Sequence, residues 1–140
     1  MNDLAILKLN DIVQSNQDVQ FACLPRYISS SSPPVNSSAW VVGWGTTTVG
    51  GEASDVLRNI KIQVYDSSDC SRVSYEKNWN AQICAGEKLG GRDSCQGDSG
   101  GGLFINDTIR DKQRYIVSGI VSYGDSCGMF LRFKAITYMV

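Results

Sequence analysis

The sequence predicts an all-β domain, and three observations favour that class. Short apolar runs recur along the whole chain, and most of them alternate or are brief enough to be strands. Segments rich in Gly, Asn and Asp separate these runs at spacings typical of a β-barrel or β-sandwich. A helical pattern is confined to one short stretch. With 140 residues and 42% apolar residues, the chain has the length of one domain with one core.

The predicted elements follow one another in a simple order. The apolar runs interpreted mostly as strands lie at 4–7, 40–42, 57–64, 82–85, 103–105 and 115–123, and the turn segments at 43–51, 86–102, 106–111 and 124–128. A short helix is predicted over 66–74, where Asp66 and the serines after it can cap the first turn. The Ser/Pro-rich stretch 29–34 predicts an exposed connector, so we place the barrel proper from about Ser38 onward.

The charge balance excludes some classes of partner. Thirteen basic and fourteen acidic side chains give a net charge of -1, which leaves no electrostatic basis for binding nucleic acid or an anionic membrane.

The sequence also lacks targeting signals. No apolar run approaches the length of a membrane span, and the residues after Met1 lack the pattern of a secretory signal.

The cysteines nevertheless indicate export. Five cysteines without a C-x-x-C pair, in a chain without histidine, argue against a zinc or other metal site. Cysteines together with Asn-x-Ser/Thr sequons at Asn36 and Asn106 are typical of a secreted, disulfide-bonded protein. The hypothesis that reconciles the cysteines with the missing signal is that the N-terminal part of the natural protein precedes Met1.

The strongest chemical signal is the segment 91–101, Gly-Arg-Asp-Ser-Cys-Gln-Gly-Asp-Ser-Gly-Gly. Glycines around Ser99 suit a tight turn that projects the serine and points backbone N–H groups at one place, as an oxyanion hole requires. The tetrapeptide Gly-Asp-Ser-Gly alone fits a plain loop equally well, and the longer match favours the catalytic interpretation. A serine nucleophile needs a base, usually imidazole, and the chain contains no histidine.

Residues 93–101 resemble the active-serine segment of trypsin-like, chymotrypsin-fold serine endopeptidases. Other segments resemble the same family in order and spacing: 3–9 its aspartate motif, 22–25 its interdomain segment, 43–45 an early barrel strand and turn, and 118–124 its substrate-pairing strand. The resemblance covers the whole chain but only the second half of the family's catalytic domain. It implies an interdomain segment over 1–37, and over 38–140 the C-terminal six-stranded Greek-key β-barrel of a double barrel. It also implies a secreted, extracellular enzyme without a cofactor, whose partners are a protein or peptide substrate, a protease inhibitor and the missing N-terminal barrel.

The resemblance also implies catalytic roles for individual residues. Ser99 is the expected nucleophile, Asp3 the acid that orients the base, and the N–H groups of Gly97 and Ser99 the oxyanion hole. Ser122 is expected to support that acid. From the residues alone, Asp3 equally fits an ordinary surface carboxylate.

Substrate recognition is expected at the segment around Asp93. The resemblance makes Asp93 the floor of the primary specificity pocket, which selects arginine or lysine through charge pairing. Gly124 and Gly128 would be open pocket walls. The residues expected to bind substrate are Asp93, Ser122, Tyr123 and Gly124. The alternative for Asp93 is a solvated loop acid beside Arg92.

The family pattern further implies how the cysteines pair. Cys70 is expected to bond Cys84, and Cys95 to bond Cys127. Cys23, which bridges to an upstream segment in the family, is left as a free thiol or an intermolecular bridge. A further disulfide of the family is replaced at both ends, by Ala39 and Ile105.

Three departures from the family pattern limit what the resemblance implies. Asp98 lacks the new amino terminus that pairs with it in an active relative, so we expect the segment 90–98 to be disordered or collapsed. The loop 127–129 is shortened, and the C-terminal helix is almost absent after Tyr138, which weakens the expected Arg/Lys preference.

Three hypotheses follow. The first is a fragment of a trypsin-like serine endopeptidase, inactive alone because it lacks the general-base histidine. The second is a non-catalytic homologue that acts as a binding or regulatory module. The third is a truncation without a folded function, since a single barrel would expose an apolar face.

Overall fold

The computed structural model describes residues 3–25, 33–72, 78–124, 126–129 and 133–138. Within them, six antiparallel strands close into one barrel, with the order β1-β2-β3-β6-β5-β4 around it. The strands are β1 (Ser38–Gly43), β2 (Arg58–Tyr65), β3 (Gln82–Gly86), β4 (Gly102–Ile109), β5 (Lys112–Gly124) and β6 (Phe133–Tyr138). Because β4 returns to lie beside β1 after three consecutive strands, the barrel has Greek-key topology. The predicted all-β class is confirmed.

The barrel core consists of inward-facing residues, mostly at alternate positions along the strands. It contains Ala39, Val41, Ile62, Val64, Ile83, Ala85, Leu103, Ile105, Ile116 and Val121. Alternation arises because successive side chains on a strand point to opposite faces of the sheet. Ala39 and Ile105 are direct partners across β1 and β4 and are 0% and 7% exposed. An apolar pair therefore occupies the place where the resemblance implies a further disulfide.

The predicted helix is a short 3₁₀ helix at Asp69–Arg72. Asp66 begins this region, and its Oδ1 accepts hydrogen bonds from the hydroxyl and the backbone N–H of Ser68 at 2.7 and 2.9 Å. These two hydrogen bonds hold the pKa of Asp66 below its usual value, and the bond from the Ser68 hydroxyl has the larger effect. Residues 73 and 74 of the predicted helix lie outside the described residues.

The N-terminal segment 3–25 runs outside the barrel. The run 4–7, predicted as a strand, forms none, because it pairs with no strand of the barrel and its four residues are exposed. Ile6 and Leu7 are 90% and 83% exposed. The segment meets the barrel at Cys23, which forms a parallel bridge with Ile116 in β5.

The connector predicted at 29–34 is only partly described. Residues 29–32 lie outside the described residues, Pro33 is buried and Pro34 is exposed. β1 begins at Ser38, where the sequence places the start of the barrel. Among the described residues, no helix is long and apolar enough to cross a membrane.

Candidate active site

Ser99 lies in a double turn between β3 and β4. The Asp98 N–H donates to the Cys95 carbonyl at 3.0 Å, and the Gly101 N–H donates to the Asp98 carbonyl at 2.9 Å. Gly97 and Gly100 have φ values of +95° and +84°, a left-handed conformation that favours glycine. Ser99 stands between these glycines and is exposed. The local sequence therefore builds a turn that presents the hydroxyl to an incoming molecule.

This serine turn, defined as residues 95–101, is fixed to the last part of β5. The Gly100 N–H donates to the Val121 carbonyl at 2.9 Å, and the Val121 N–H donates to the Gly101 carbonyl at 2.8 Å. The disulfide between Cys95 and Cys127 ties the start of the turn to the loop after β5. Ser99 is thus held by covalent and backbone contacts on both of its sides.

Two backbone donors of the serine turn are available to a ligand. The N–H groups of Gly97 and Ser99 donate no hydrogen bond to any residue that the structure describes. They flank Asp98 in the chain, beside the exposed Ser99. Unpaired backbone donors next to a nucleophile are what an oxyanion site needs, since a developing negative charge requires preorganised donors.

Asp3 reaches the same part of β5 through Ser122. The Ser122 hydroxyl donates to Asp3 Oδ2 at 2.5 Å. Ser122 directly follows Val121, the residue that holds the serine turn, so Ser99 and Asp3 are attached to neighbouring residues of one strand. Asp3 itself is exposed, whereas the resemblance implies a buried acid. No histidine is present in the sequence to stand between Asp3 and Ser99.

The carboxylate of Asp98 is satisfied by backbone donors. Oδ1 accepts from the Gly45 N–H and Oδ2 from the Cys95 N–H, both at 2.9 Å. A Cβ on Gly43 would lie 2.0 Å from Oδ1, and one on Gly45 would lie 2.5 Å from it, so a side chain at either position would displace the Asp98 carboxylate from these bonds. Asp98 therefore has backbone partners of a different kind from the amino terminus that pairs with it in an active relative, because the segment 43–45 supplies an N–H donor and the space.

The sequence contains a signal for this contact. Two glycines flank Trp44, a pattern that indicates close approach of another group to the backbone. The family resemblance identifies that segment only as a strand and turn. In the segment 90–98, expected to be disordered or collapsed, the Gly91 N–H donates to the Gly128 carbonyl at 2.7 Å.

Asp93 lies in a cavity of about 410 Å³ beside the serine turn. Its Oδ2 accepts a hydrogen bond from the Gly128 N–H at 3.2 Å, and the residue is half-buried. Asp98 also lines the cavity, so two carboxylates share it. Arg92, the neighbour that would accompany Asp93 in a solvated loop, forms an ion pair with Glu87 at 3.1 Å. Ser99, Tyr123 and Gly124 are not among the residues that line this cavity.

Tyr123 has a structural contact that the sequence did not predict. Its hydroxyl accepts a hydrogen bond from Gln82 Nε2 at 2.7 Å, which links β5 to β3. The ring packs on a buried cluster around the disulfide between Cys70 and Cys84. Neither the pattern of apolar residues nor the family resemblance connects Gln82 to this site.

The two disulfides, Cys70–Cys84 and Cys95–Cys127, are the pairs that the resemblance implies. Cys23 is a half-buried free thiol. In the part of the chain that the structure describes, no group of three or more His, Cys, Asp or Glu residues is placed to hold a metal ion.

Comparison with known proteins agrees with this geometry. The family model described as Trypsin matches residues 1–137. The chain is 38% identical over 128 residues to Trypsin-1 of Astacus astacus, covering 90% of this chain and 50% of that protein. It is 36% identical over 132 residues to Proclotting enzyme of Tachypleus tridentatus, covering 92% of this chain and 34% of that protein. It is 40% identical over 130 residues to Phenoloxidase-activating factor 3 of Holotrichia diomphalia, covering 91% of this chain and 36% of that protein.

The chain spans half or less of the length of these curated relatives. The match to the family model nevertheless extends over nearly all of its own residues, including the serine turn and β5. With a closed six-stranded barrel, two disulfides and an exposed serine between left-handed glycines, the chain belongs to the trypsin family of serine proteases.

Proposed function

We propose that these residues form the serine-bearing part of a secreted serine endopeptidase that cleaves after arginine or lysine. The general-base histidine comes from outside the 140 residues, and the chain alone is inactive. The observation that carries the proposal is that the turn bearing Ser99 is bonded to Val121, and Asp3 to Ser122, the next residue of β5. One strand end thereby holds both the turn with the proposed nucleophile and the proposed acid.

The proposed reaction is acyl transfer to Ser99. Its Oγ attacks the carbonyl carbon of the scissile peptide bond while the external imidazole takes the proton, and Asp3 holds that imidazole in the correct orientation. The N–H groups of Gly97 and Ser99 donate hydrogen bonds to the oxyanion that forms. Loss of one such donor typically lowers kcat by about 10²–10³-fold. The proton then passes to the leaving amine, and water releases the acyl group from Ser99.

Specificity for a basic residue is proposed to arise from Asp93. The half-buried position of Asp93 and its hydrogen bond to Gly128 support a fixed carboxylate at the floor of a pocket. A guanidinium or ammonium group that enters this partly desolvated site gains a charge-assisted hydrogen bond. Ser122 and Gly124, at the end of β5, are proposed to contact the substrate backbone.

The exposed apolar side chains of the N-terminal segment support a larger catalytic domain. Ile6, Leu7 and Phe21 are 90%, 83% and 71% exposed, which is unusual for a soluble surface. We propose that the N-terminal barrel, which carries the histidine, packs against this segment. The two disulfides support the extracellular location, because such bonds persist in oxidising compartments.

Peptide hydrolysis by the natural protein, with all its flanking sequence, tests the proposal. Amide substrates that differ only in Arg, Lys or Phe before the scissile bond are compared for wild type and Asp93→Ser. We expect kcat/KM for the Arg substrate to fall about 10²–10³-fold in the variant, as for loss of a buried charge partner. Asp66→Ser, which removes an exposed acid away from the site, is the matched control.

An unchanged cleavage profile in Asp93→Ser would contradict the pocket assignment. Ser99→Ala should abolish hydrolysis of all three substrates. If the wild-type natural protein hydrolyses none of them, the chain is a non-catalytic homologue and the endopeptidase proposal fails.

A further inference from the structure

Asn106 lies on the exposed half of β4, within the sequence Phe-Ile-Asn-Asp-Thr at 104–108. Alternate residues of a strand point to the same face of the sheet, so Phe104, Asn106 and Thr108 share one face. Asn106 and Thr108 are exposed, and Phe104 is half-buried. The sequon is therefore presented on the outer surface of the barrel, with an aromatic ring two residues before the asparagine.

The strand beside Asn106 places a second aromatic ring on that face. Asn106 is the direct cross-strand partner of Tyr115 in β5, and Tyr115 is 56% exposed. Directly paired residues have Cβ atoms about 4.5–5.5 Å apart, so a group attached to Asn106 lies within reach of the tyrosine ring. Tyr115, Phe104 and Trp40 also line an apolar groove of about 500 Å³ on the same surface.

We propose that Asn106 is N-glycosylated and that the first sugar packs its apolar C–H face on the ring of Tyr115. The proposal goes beyond the peptidase function and rests on only one part of it, the secretory route. An exposed tyrosine offers a large apolar surface with a polar edge, which suits an amphipathic sugar ring. A bulky hydrophilic group at this position would reduce the apolar surface in contact with water.

The donor is a lipid-linked oligosaccharide pyrophosphate, used by the transferase of the secretory pathway. The Asn106 amide nitrogen attacks the anomeric carbon of the first sugar, and a carbon–nitrogen bond forms. The bond from that carbon to the pyrophosphate oxygen breaks, and its electron pair leaves with the lipid pyrophosphate. The amide nitrogen loses one proton to a base of the transferase, so no oxidant or reductant is needed.

The sequon at Asn36 provides the internal comparison. Asn36 lies in a turn with a φ of +68°, and its Oδ1 accepts a hydrogen bond from Gln63 Nε2 at 3.2 Å. Its side chain thus has a protein partner, and its surroundings in the turn differ from the paired aromatic face at Asn106. Asn36→Gln is therefore a matched variant that removes a sequon without touching the Tyr115 surface.

The first measurement is glycopeptide mapping of the natural secreted protein. Enzymatic removal of N-glycans in H₂¹⁸O should convert Asn106 to ¹⁸O-labelled aspartate, and Asn106→Gln should lose one glycan mass from the intact protein. Asn36→Gln should retain that glycan. An unmodified Asn106 peptide in the wild-type protein would overturn the proposal, whether or not the protein cleaves peptides.

The second measurement tests the contact with Tyr115. We expect Asn106→Gln to lower Tm by about 2–4 °C when Tyr115 is present, and by less than about 1 °C in a Tyr115→Thr background. Threonine retains a high strand propensity, so the comparison isolates the ring. Equal losses of Tm in the two backgrounds would overturn the packing on Tyr115. Peptidase activity is measured separately, so failure of the catalytic proposal is distinguished from failure of this one.

Discussion

The serine turn at 95–101 and the N-terminal segment at 3–25 are joined to the same strand by contacts of different kinds. The turn is bonded to β5 by two backbone hydrogen bonds at Val121, and a disulfide ties it to the loop that follows. The segment meets β5 through a side-chain hydrogen bond of Asp3 and a backbone bond from the Val117 N–H to the Cys23 carbonyl. Ser99, the proposed nucleophile, is therefore part of the barrel, whereas Asp3, the proposed acid, rests on its surface.

This difference shows that the two parts of the proposed catalytic site depend on different kinds of contact. The geometry around Ser99 is produced by its own glycines, the Asp98 carboxylate and a covalent bond, all within one barrel. The position of Asp3 depends on its hydrogen bond with the Ser122 hydroxyl, and Asp3 lies on an exposed segment. We expect changes at the serine turn to alter global stability, and changes at Asp3 to alter local order.

Removal of the disulfide at the serine turn should have the largest effect. Cys95 and Cys127 are 32 residues apart, so replacing both by Ala should lower the free energy of unfolding by about 3–4 kcal/mol. Hydrogen exchange should also rise across the amides of 95–101. The matched control is Ala at both Cys70 and Cys84, which opens a loop with a separation of 14 and should leave exchange in the turn unchanged. Unaltered exchange at 95–101 in the first variant would show that the disulfide does not fix the turn.

Asp98→Asn should have an intermediate effect. The amide keeps the shape of the side chain but presents an NH₂ group to one of the two backbone donors, at Gly45 or Cys95. We expect a loss of about 1.5–3 kcal/mol, the usual range for hydrogen bonds to a charged group. Urea unfolding measures the loss, and Asp107→Asn, an exposed acid that accepts a bond from the Thr108 N–H, is the control. A change as small as that of the control would mean that the carboxylate does not hold the turn.

Ser122→Ala should have the smallest effect on global stability. It removes the hydrogen bond to the exposed Asp3, so the free energy of unfolding should change by less than about 0.5 kcal/mol. The N-terminal segment should become more accessible, and cleavage after Lys8 by a lysine-specific protease should become faster. Ser68→Ala, which removes a hydroxyl bonded to Asp66, is a control that should not affect cleavage at Lys8. Unchanged cleavage in Ser122→Ala would show that another contact positions Asp3.

The features that the sequence predicted are those encoded locally. The glycines around Ser99 favour a left-handed turn, and short alternating runs specify strands. The strand expected at 4–7 did not form, because an apolar run becomes a strand only where it pairs with another strand, and the bridge of this segment to β5 lies at Cys23 instead.

The contacts that were missed join segments far apart in the sequence. The Gly45 donor to Asp98 is 53 residues away in sequence, and the bond between Gln82 and Tyr123 spans 41 residues. Neither follows from the period of apolar residues or from turn chemistry, because both depend on how the barrel closes. The family resemblance located Asp98 but implied an amino terminus as its partner, whereas backbone N–H groups bind its carboxylate.

Fluorophosphonate labelling at Ser99 is the sharpest test of whether this nucleophile depends on a base from outside the 140 residues. The natural protein, with its flanking sequence, and the separately produced 140-residue chain are treated in parallel, and the labelled residue is identified by peptide mass mapping. We predict that the natural protein is labelled at Ser99 and that the 140-residue chain, which lacks the base, is not. Rapid labelling of the isolated chain, or no labelling of the natural protein, would contradict the assignment of an external histidine to this nucleophile.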